Sequence, residues 1–173
     1  MRFKLLVAAL ALAFAAAATT AYGAKPNDAQ IAHIAYTAGQ IDVQAAELAL
    51  QKSKNKEVRD FAENMIRDHK AVNDQALALV KKLNVTPEDN DTSKALLKQA
   101  DAKQAELKKL EGRAFDKAYA DNEVAYHKEV NKALETDLIP NASNQELKDL
   151  LSTGLKIFQG HEQHAEQVAR SLK

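Results

Sequence analysis

The chain has 173 residues, with 24 Lys and Arg against 24 Asp and Glu, so its formal net charge is zero; it contains neither cysteine nor tryptophan. That balance leaves no electrostatic footprint for nucleic acid or an anionic lipid surface, and the lack of cysteine removes both a disulfide framework and a thiol nucleophile. Only 5 glycines and 3 prolines punctuate a sequence dominated by Ala, Leu, Lys, Glu and Gln. All five are good helix formers, so an all-α fold is expected.

Residues 1–23 stand apart. Arg2 and Lys4 precede an unbroken apolar run from Leu5 to Ala18, too short to span a bilayer comfortably, and the run ends in the small residues of Ala21-Tyr22-Gly23. This pattern predicts a signal peptide cleaved before Ala24. The mature protein is then expected in the periplasm, with no membrane insertion after cleavage. It is not expected to be a lipoprotein, since no cysteine is present to accept the lipid. Removing Arg2 and Lys4 leaves 24 − 2 = 22 basic residues and a mature net charge of 22 − 24 = −2. Residues 24–173 have the size of one domain with a single core.

Asn27 is expected to cap a first helix that runs to about Lys52 and ends at the polar turn Ser53-Lys54-Asn55. Asp42 falls on its apolar stripe. A second helix should reach about Leu83, with Val58, Phe61, Met65, Val72, Ala76, Leu79 and Leu83 at three- and four-residue spacing; His69 fills the gap between Met65 and Val72. Asn84 to Asp91, with Pro87, reads as the main loop. Asp91 or Thr92 would cap a shorter helix to about Glu111, whose Lys and Glu run from Lys98 is a solvated face, and Gly112 interrupts it. The next helix, from about Ala114 to Leu138, carries Phe115, Tyr119, Val130 and Leu134 on the face that also bears His127. Ile139 to Ala142, with Pro140, breaks the chain. Ser143 and Glu146 form the capping-box pattern of a last helix whose stripe is Leu147, Leu150, Leu151, Gly154, Phe158, His161, Val168 and Leu172. Four long helices and one short one bury these stripes most simply as an antiparallel four-helix bundle with the short helix in the crossover.

An internal repeat supports this architecture. Phe61-Ala62-Glu63-Asn64 through His69-Lys70-x-Val72-Asn73 lines up with Tyr119-Ala120-Asp121-Asn122 through His127-Lys128-x-Val130-Asn131. Upstream, Asp42-x-x-x-Ala46-Glu47-Leu48 resembles Asp101-x-x-x-Ala105-Glu106-Leu107, which suggests a duplicated helical hairpin. Counting from the turn at Lys54, Asp42 lies twelve residues back and His69 fifteen forward, so the two differ in depth by only about 4 to 5 Å. His127 lies eleven residues before Leu138 and His161 seventeen after Asn144, an expected mismatch of about 9 Å.

His69, His127, His161 and Asp42 are therefore the candidate metal ligands. A buried imidazole or carboxylate needs a partner or costs several kcal/mol, and three imidazoles with one carboxylate suit a single Zn, Cu or Fe ion. Asp68 would orient a histidine ring from behind, and Asp116 and Tyr119 are further supporting candidates. The competing reading makes the three histidines core residues hydrogen-bonded to Asp42, Asp116, Tyr119 or Tyr126 with no ion. His33 and His164 are expected at the periphery. His161-Glu162-Gln163-His164 is not a zinc-protease motif, because position 165 is Ala165. Glu123 and His127, at i and i+4, read as a surface contact. No phosphate-binding glycine loop or nucleophile elbow is present.

Glu47-Leu48-Ala49, Val58 with Phe61-Ala62, Asp68-His69, Phe115-Asp116-x-x-Tyr119, His127 and His161 together resemble the bacterial exported domains grouped as domain-of-unknown-function family 4142. The resemblance covers nearly all of the mature region and implies a ferritin-like helical bundle, with glutamate common where this chain has the shorter Asp42. The ferritin di-iron pattern of Glu-x-x-His is not met, since Ile66 and Val124 stand three residues before His69 and His127, so no di-iron centre is expected. The function expected is a periplasmic, non-catalytic bundle holding a transition metal or small polar ligand. Two alternatives are a structural or partner-binding protein of the envelope stress response, and a redox enzyme at the same histidines. Its protein partner is not specified, and a monomer or homodimer fits equally.

Overall fold

Asparagine begins four of the helices. The side chains of Asn27, Asn55, Asn90 and Asn144 each accept a backbone N–H from the first turn of the helix that follows, a donor with no partner inside the helix. In the computed structural model, which describes residues 25–172, these caps open α1 (Asp28–Lys52), α2 (Lys56–Lys82), α3 (Asp91–Lys108) and α6 (Gln145–Ser171). Between α3 and α6 lie α4 (Gly112–Ala133), a π-helical turn (Leu134–Leu138) and the short α5 (Ile139–Asn141). The signal peptide expected at residues 1–23 lies outside the described residues. The described residues form no strand.

Two of the expected caps fall elsewhere. Asn90, not Asp91 or Thr92, caps α3 and forms a capping box with Ser93. Ser143 does not cap α6, because its amide and hydroxyl both donate to the carboxylate of Asp28 at the start of α1, at 2.7 and 2.6 Å, which leaves Asn144 to accept from Leu147. That carboxylate also takes the Asn144 amide, so one acidic residue ties the α5–α6 turn to the first turn of α1.

End contacts give the directions of the helices. Asp28 of α1 meets Ser143 beyond α5, and Lys52 pairs with Glu111 before α4, so α1 and α4 are antiparallel. Lys82 pairs with Glu146 and Glu57 meets Ser171, so α2 and α6 are antiparallel as well. Three-residue turns make α1 and α2, and α5 and α6, antiparallel neighbours. The bundle is thus α1, α2, α4 and α6, with α2 and α4 parallel across its diagonal. α3 runs alongside α1 in the same direction, as Asn90 with Gln30, Gln104 with Gln44, and Lys108 with Lys52 show. It is the crossover that carries the chain back outside the bundle, and of its residues only Ser93 and Leu107 are buried.

The repeat is therefore real for α2 and α4 but not for a hairpin. Parallel helices set equal repeat positions at equal depth: Phe61 faces Tyr119 with ring centroids 6.1 Å apart, and His69 faces His127 at 5.7 Å. Asp101, the counterpart proposed for Asp42, is exposed on the outer helix. The expected 9 Å mismatch also closes. The chain does not break at Ile139 but stays helical to Asn141, with the Ile139 amide bonded five residues back to Leu134. Pro140 has no amide to donate and its ring presses on the preceding turn, which a widened turn accommodates. His127 is then fourteen residues before Asn141 and His161 sixteen after Gln145, about 3 Å apart in depth.

Two apolar clusters fill the ends of the bundle. One holds Phe61, Met65, Leu107, Phe115 and Tyr119; the other holds Ile31, Ile34, Leu134, Leu138, Leu151 and Phe158. Between them every bundle helix contributes buried polar groups. Gly39 of α1 gives room to Asn73 of α2 at this level, for a methyl there would overlap the amide, 2.9 Å from its Nδ2. Gly39→Ala is expected to lose roughly 1–2 kcal/mol in urea unfolding although helix propensity alone favours alanine by about 1 kcal/mol, and Asn73→Ala in the same chain should recover the loss. A single Gly39→Ala variant more stable than the parent would contradict this packing.

Candidate metal centre

His69 on α2, His127 on α4, His161 on α6 and Asp42 on α1 meet in the layer between the two apolar clusters. The four-fold convergence has a local cause: each residue occupies its helix's core-facing stripe, where a hydrophobic side chain would otherwise sit. Asp42, His69, Glu123 and His127 are each exposed by 2% or less, and His161 by 7%. The three rings are mutual neighbours, with centroids 5.2 to 5.7 Å apart. Each of the three offers a nitrogen within 4.8 Å of the others, and Asp42, Glu123 and His127 form a second such group.

The hydrogen bonds decide which nitrogens are bare. His127 Nδ1 lies 3.0 Å from the Glu123 carbonyl oxygen, which only accepts, so Nδ1 carries the proton and Nε2 is left with its lone pair. His161 Nε2 lies 3.0 Å from Asp68 Oδ2. Arg67 grips both oxygens of that carboxylate at 2.7 and 3.0 Å and, with His161, holds its pKa below the usual range, so Asp68 is ionised and His161 donates from Nε2. His161 Nδ1 is thereby left bare. His69 Nε2 stands 3.4 Å from Asp42 Oδ2, and neither of its ring nitrogens makes a hydrogen bond. His127 Nε2 and His161 Nδ1 are likewise buried without a hydrogen-bond partner among the described residues, while the Asp42 and Glu123 carboxyls stand within hydrogen-bonding reach of one another.

Burial dominates the protonation of the whole group. It lowers His69 well below its ordinary value and His127 to about 4, with the neighbouring imidazoles adding to the effect in both. His161 is lowered by burial too, against the pull of Asp68. The rings are therefore neutral at neutral pH and keep their lone pairs. Burial raises Asp42 well above its ordinary value, reinforced by Glu123, and raises Glu123 to about 7.

Glu123 is the residue the sequence reading misplaced. It is not at the surface: its carboxylate lies inside the layer, 3.7 Å from His127 Nδ1 and fully enclosed. The repeat offered a signal, because Glu123 aligns with Met65, a core position, at an offset of 58 residues. Of the supporting candidates, Asp68 contacts His161. Tyr119 lies one turn below Glu123, packed against Phe61 and Phe115, and its hydroxyl, raised by burial and then by Glu123 and Asp42, bonds to nothing described. Asp116 is buried but eleven residues before His127, about 16 Å along α4, and takes no part in the layer. Tyr126 donates to the Ala38 carbonyl oxygen rather than to a histidine. His164 sits edge-on to Phe61, and His33 lies nine residues before Asp42 on α1, so both are outside the cluster. Phe158, expected on the core stripe of the last helix, stacks its ring on His69 at 4.5 Å and 7°.

The family model described as Domain of unknown function (DUF4142) matches residues 13–168. The chain belongs to the DUF4142 family. No curated protein sequence matches this DUF4142 chain. Among solved structures it is similar to "CopM in the Cu(II)-bound form", at a TM-score of 0.65 and 14% identity, over 86% of this chain and 99% of that one. At that identity the likeness shows a shared helical-bundle fold.

Glu123 makes the layer pH-sensitive in a definite direction. With a folded value near 7 against an ordinary 4.5, it keeps a proton in the folded state that the unfolded chain releases, so it opposes folding increasingly as pH rises through that interval. The lowered histidines act in the opposite sense, as pH falls, and are common to parent and variant. Metal-free Glu123→Gln should therefore gain more stability over the parent at pH 8 than at pH 5, read as urea midpoints. An equal difference at both pH values would contradict a buried, proton-retaining Glu123.

Proposed function

We propose that this protein is an exported, periplasmic metal-binding bundle that holds one divalent transition-metal ion between His69, His127, His161, Asp42 and Glu123. The carrying observation is the set of bare nitrogens: His127 Nε2, His161 Nδ1 and the His69 ring are buried, neutral and without a hydrogen-bond donor to receive. Hydrogen bonding within a metal-free core would require partners that Asp116, Tyr119 and Tyr126 do not supply; Asp42, 3.4 Å from His69 Nε2, serves at most that one ring and leaves His127 Nε2 and His161 Nδ1 bare. A Lewis acid satisfies all three rings at once.

Charge favours a divalent ion. Asp42 and Glu123 hold their protons more tightly than usual in the empty layer, and a +2 ion displaces those protons and balances the two carboxylates so formed, leaving the group neutral in a low-dielectric interior. Copper(II) is the first candidate, since imidazole-rich sites bind it most tightly among the divalent first-row metals and the structure similar in fold was captured with Cu(II). A bound copper ion supplies Lewis acidity and a one-electron couple. The chain itself supplies orientation: Arg67 fixes Asp68, Asp68 fixes the His161 tautomer, and the Glu123 carbonyl fixes that of His127. Export rests on the cationic start and apolar run before Ala24, and no described helix is long and apolar enough to cross a membrane.

Untagged mature protein should carry close to one equivalent of copper or zinc by plasma mass spectrometry. His69→Ala, His127→Ala and His161→Ala combined should remove it while the far-ultraviolet spectrum stays helical, and His33→Ala with His164→Ala should leave it in place. Asp68→Asn should weaken binding 10- to 100-fold, the usual effect of losing the group that orients a ligand histidine. A parent protein that neither binds Zn, Cu or Fe nor gains stability from them would overturn the reading, as would a triple variant that keeps the ion.

A further inference from the structure

Beyond Phe158 the bundle is not filled. Phe158, whose ring stacks on His69, also lines a partly open cavity of about 150 Å³ formed by all four bundle helices and the start of α3. Its origin is in the sequence: Ala35 and Ala38 of α1, Ala76 of α2, Ala133 of α4 and Gly154 of α6 present small side chains, or none, toward it. The equivalent space at the other end of the bundle is occupied by Phe61, Met65, Phe115 and Tyr119. An apolar space of this size accommodates one six-membered ring.

Two further features make it a site rather than a packing fault. The π-helical turn forms part of the wall through Leu134, Asp137 and Leu138, and such turns are uncommon and recur at functional sites. The charged groups of the lining are two carboxylates, Glu129 and Asp137, both exposed at the rim and neither in an ion pair among the described residues. Asn141 donates to Asp137 Oδ1 at 2.6 Å, which leaves Oδ2 to face a ligand. The walls select an apolar body and the rim selects a positive charge.

We infer that this cavity binds a small apolar amine, a single ring or short aliphatic chain bearing a cationic head, with the body among the apolar walls beside Phe158 and the head at the acidic rim, against Glu129 or Asp137. The inference is independent of the metal site, none of whose five residues lines the cavity.

Isothermal titration of the full mature protein with benzylamine, toluene and benzoate tests it. Benzylamine should bind saturably at one site, at least tenfold more tightly than either comparison compound. Ala76→Leu, which fills the cavity, should abolish binding while the protein stays folded. The surface pair Glu129→Gln with Asp137→Asn, which leaves the core untouched, should bring benzylamine down to the level of toluene. Absence of saturable benzylamine binding would overturn the proposal, and so would binding unchanged in a folded Ala76→Leu variant. Toluene or benzoate binding as tightly as benzylamine would overturn the cationic head.

Discussion

Three imidazoles and two carboxylates have been taken out of water in one layer of a four-helix bundle, and the cost of that desolvation governs the molecule. Stripping a carboxylate or imidazole of water without giving it a partner costs several kcal/mol. The layer avoids part of this by keeping the histidines neutral and by holding protons on Asp42 and Glu123 above their ordinary range. What remains is a set of lone pairs with nothing to receive. A hydrophobic layer of the same volume would be the more stable solution, and the proposed ion is what would offset the difference.

The rest of the fold makes that layer geometrically exact enough to be useful. Asn27, Asn55, Asn90 and Asn144 fix where helices start, and Asp28 locks the α5–α6 turn onto α1. The widened turn at Leu134–Leu138 keeps α4 helical past the point where Pro140 would end it, and so sets His127 level with His161. Because α2 and α4 run parallel across the diagonal, one repeated segment places His69 opposite His127. The polar layer then divides the core in two: aromatic and dense below, small-residue and open above.

Much of this was legible in the sequence because helical periodicity reports directly on which residues face inward. The helices and the stripe positions of Asp42, His69, His127 and His161 follow from it, whereas which histidine Asp68 contacts depends on how α2 and α6 pack. Glu123 did not, since an acid four residues before a histidine looks the same on a wet face as on a dry one, and only helix rotation separates them. Ser143 misled for a similar reason: a capping box is a local pattern, and Asp28, distant in sequence, claimed the serine first. The hairpin repeat failed because α3 was free to pack outside the bundle, where Asp101 meets water. The break expected at Pro140 was displaced because a π-turn can absorb a proline that an α-helix cannot.

The central claim is that the bare nitrogens of this layer hold a metal ion, and anomalous diffraction at the copper edge from crystals of the Cu(II)-loaded protein tests it most directly. The account predicts one strong peak about 2 Å from His127 Nε2 and His161 Nδ1, with the His69 ring and a carboxylate oxygen of Asp42 or Glu123 completing the coordination. A peak confined to surface histidines such as His33 or His164, with none in the layer, would contradict it.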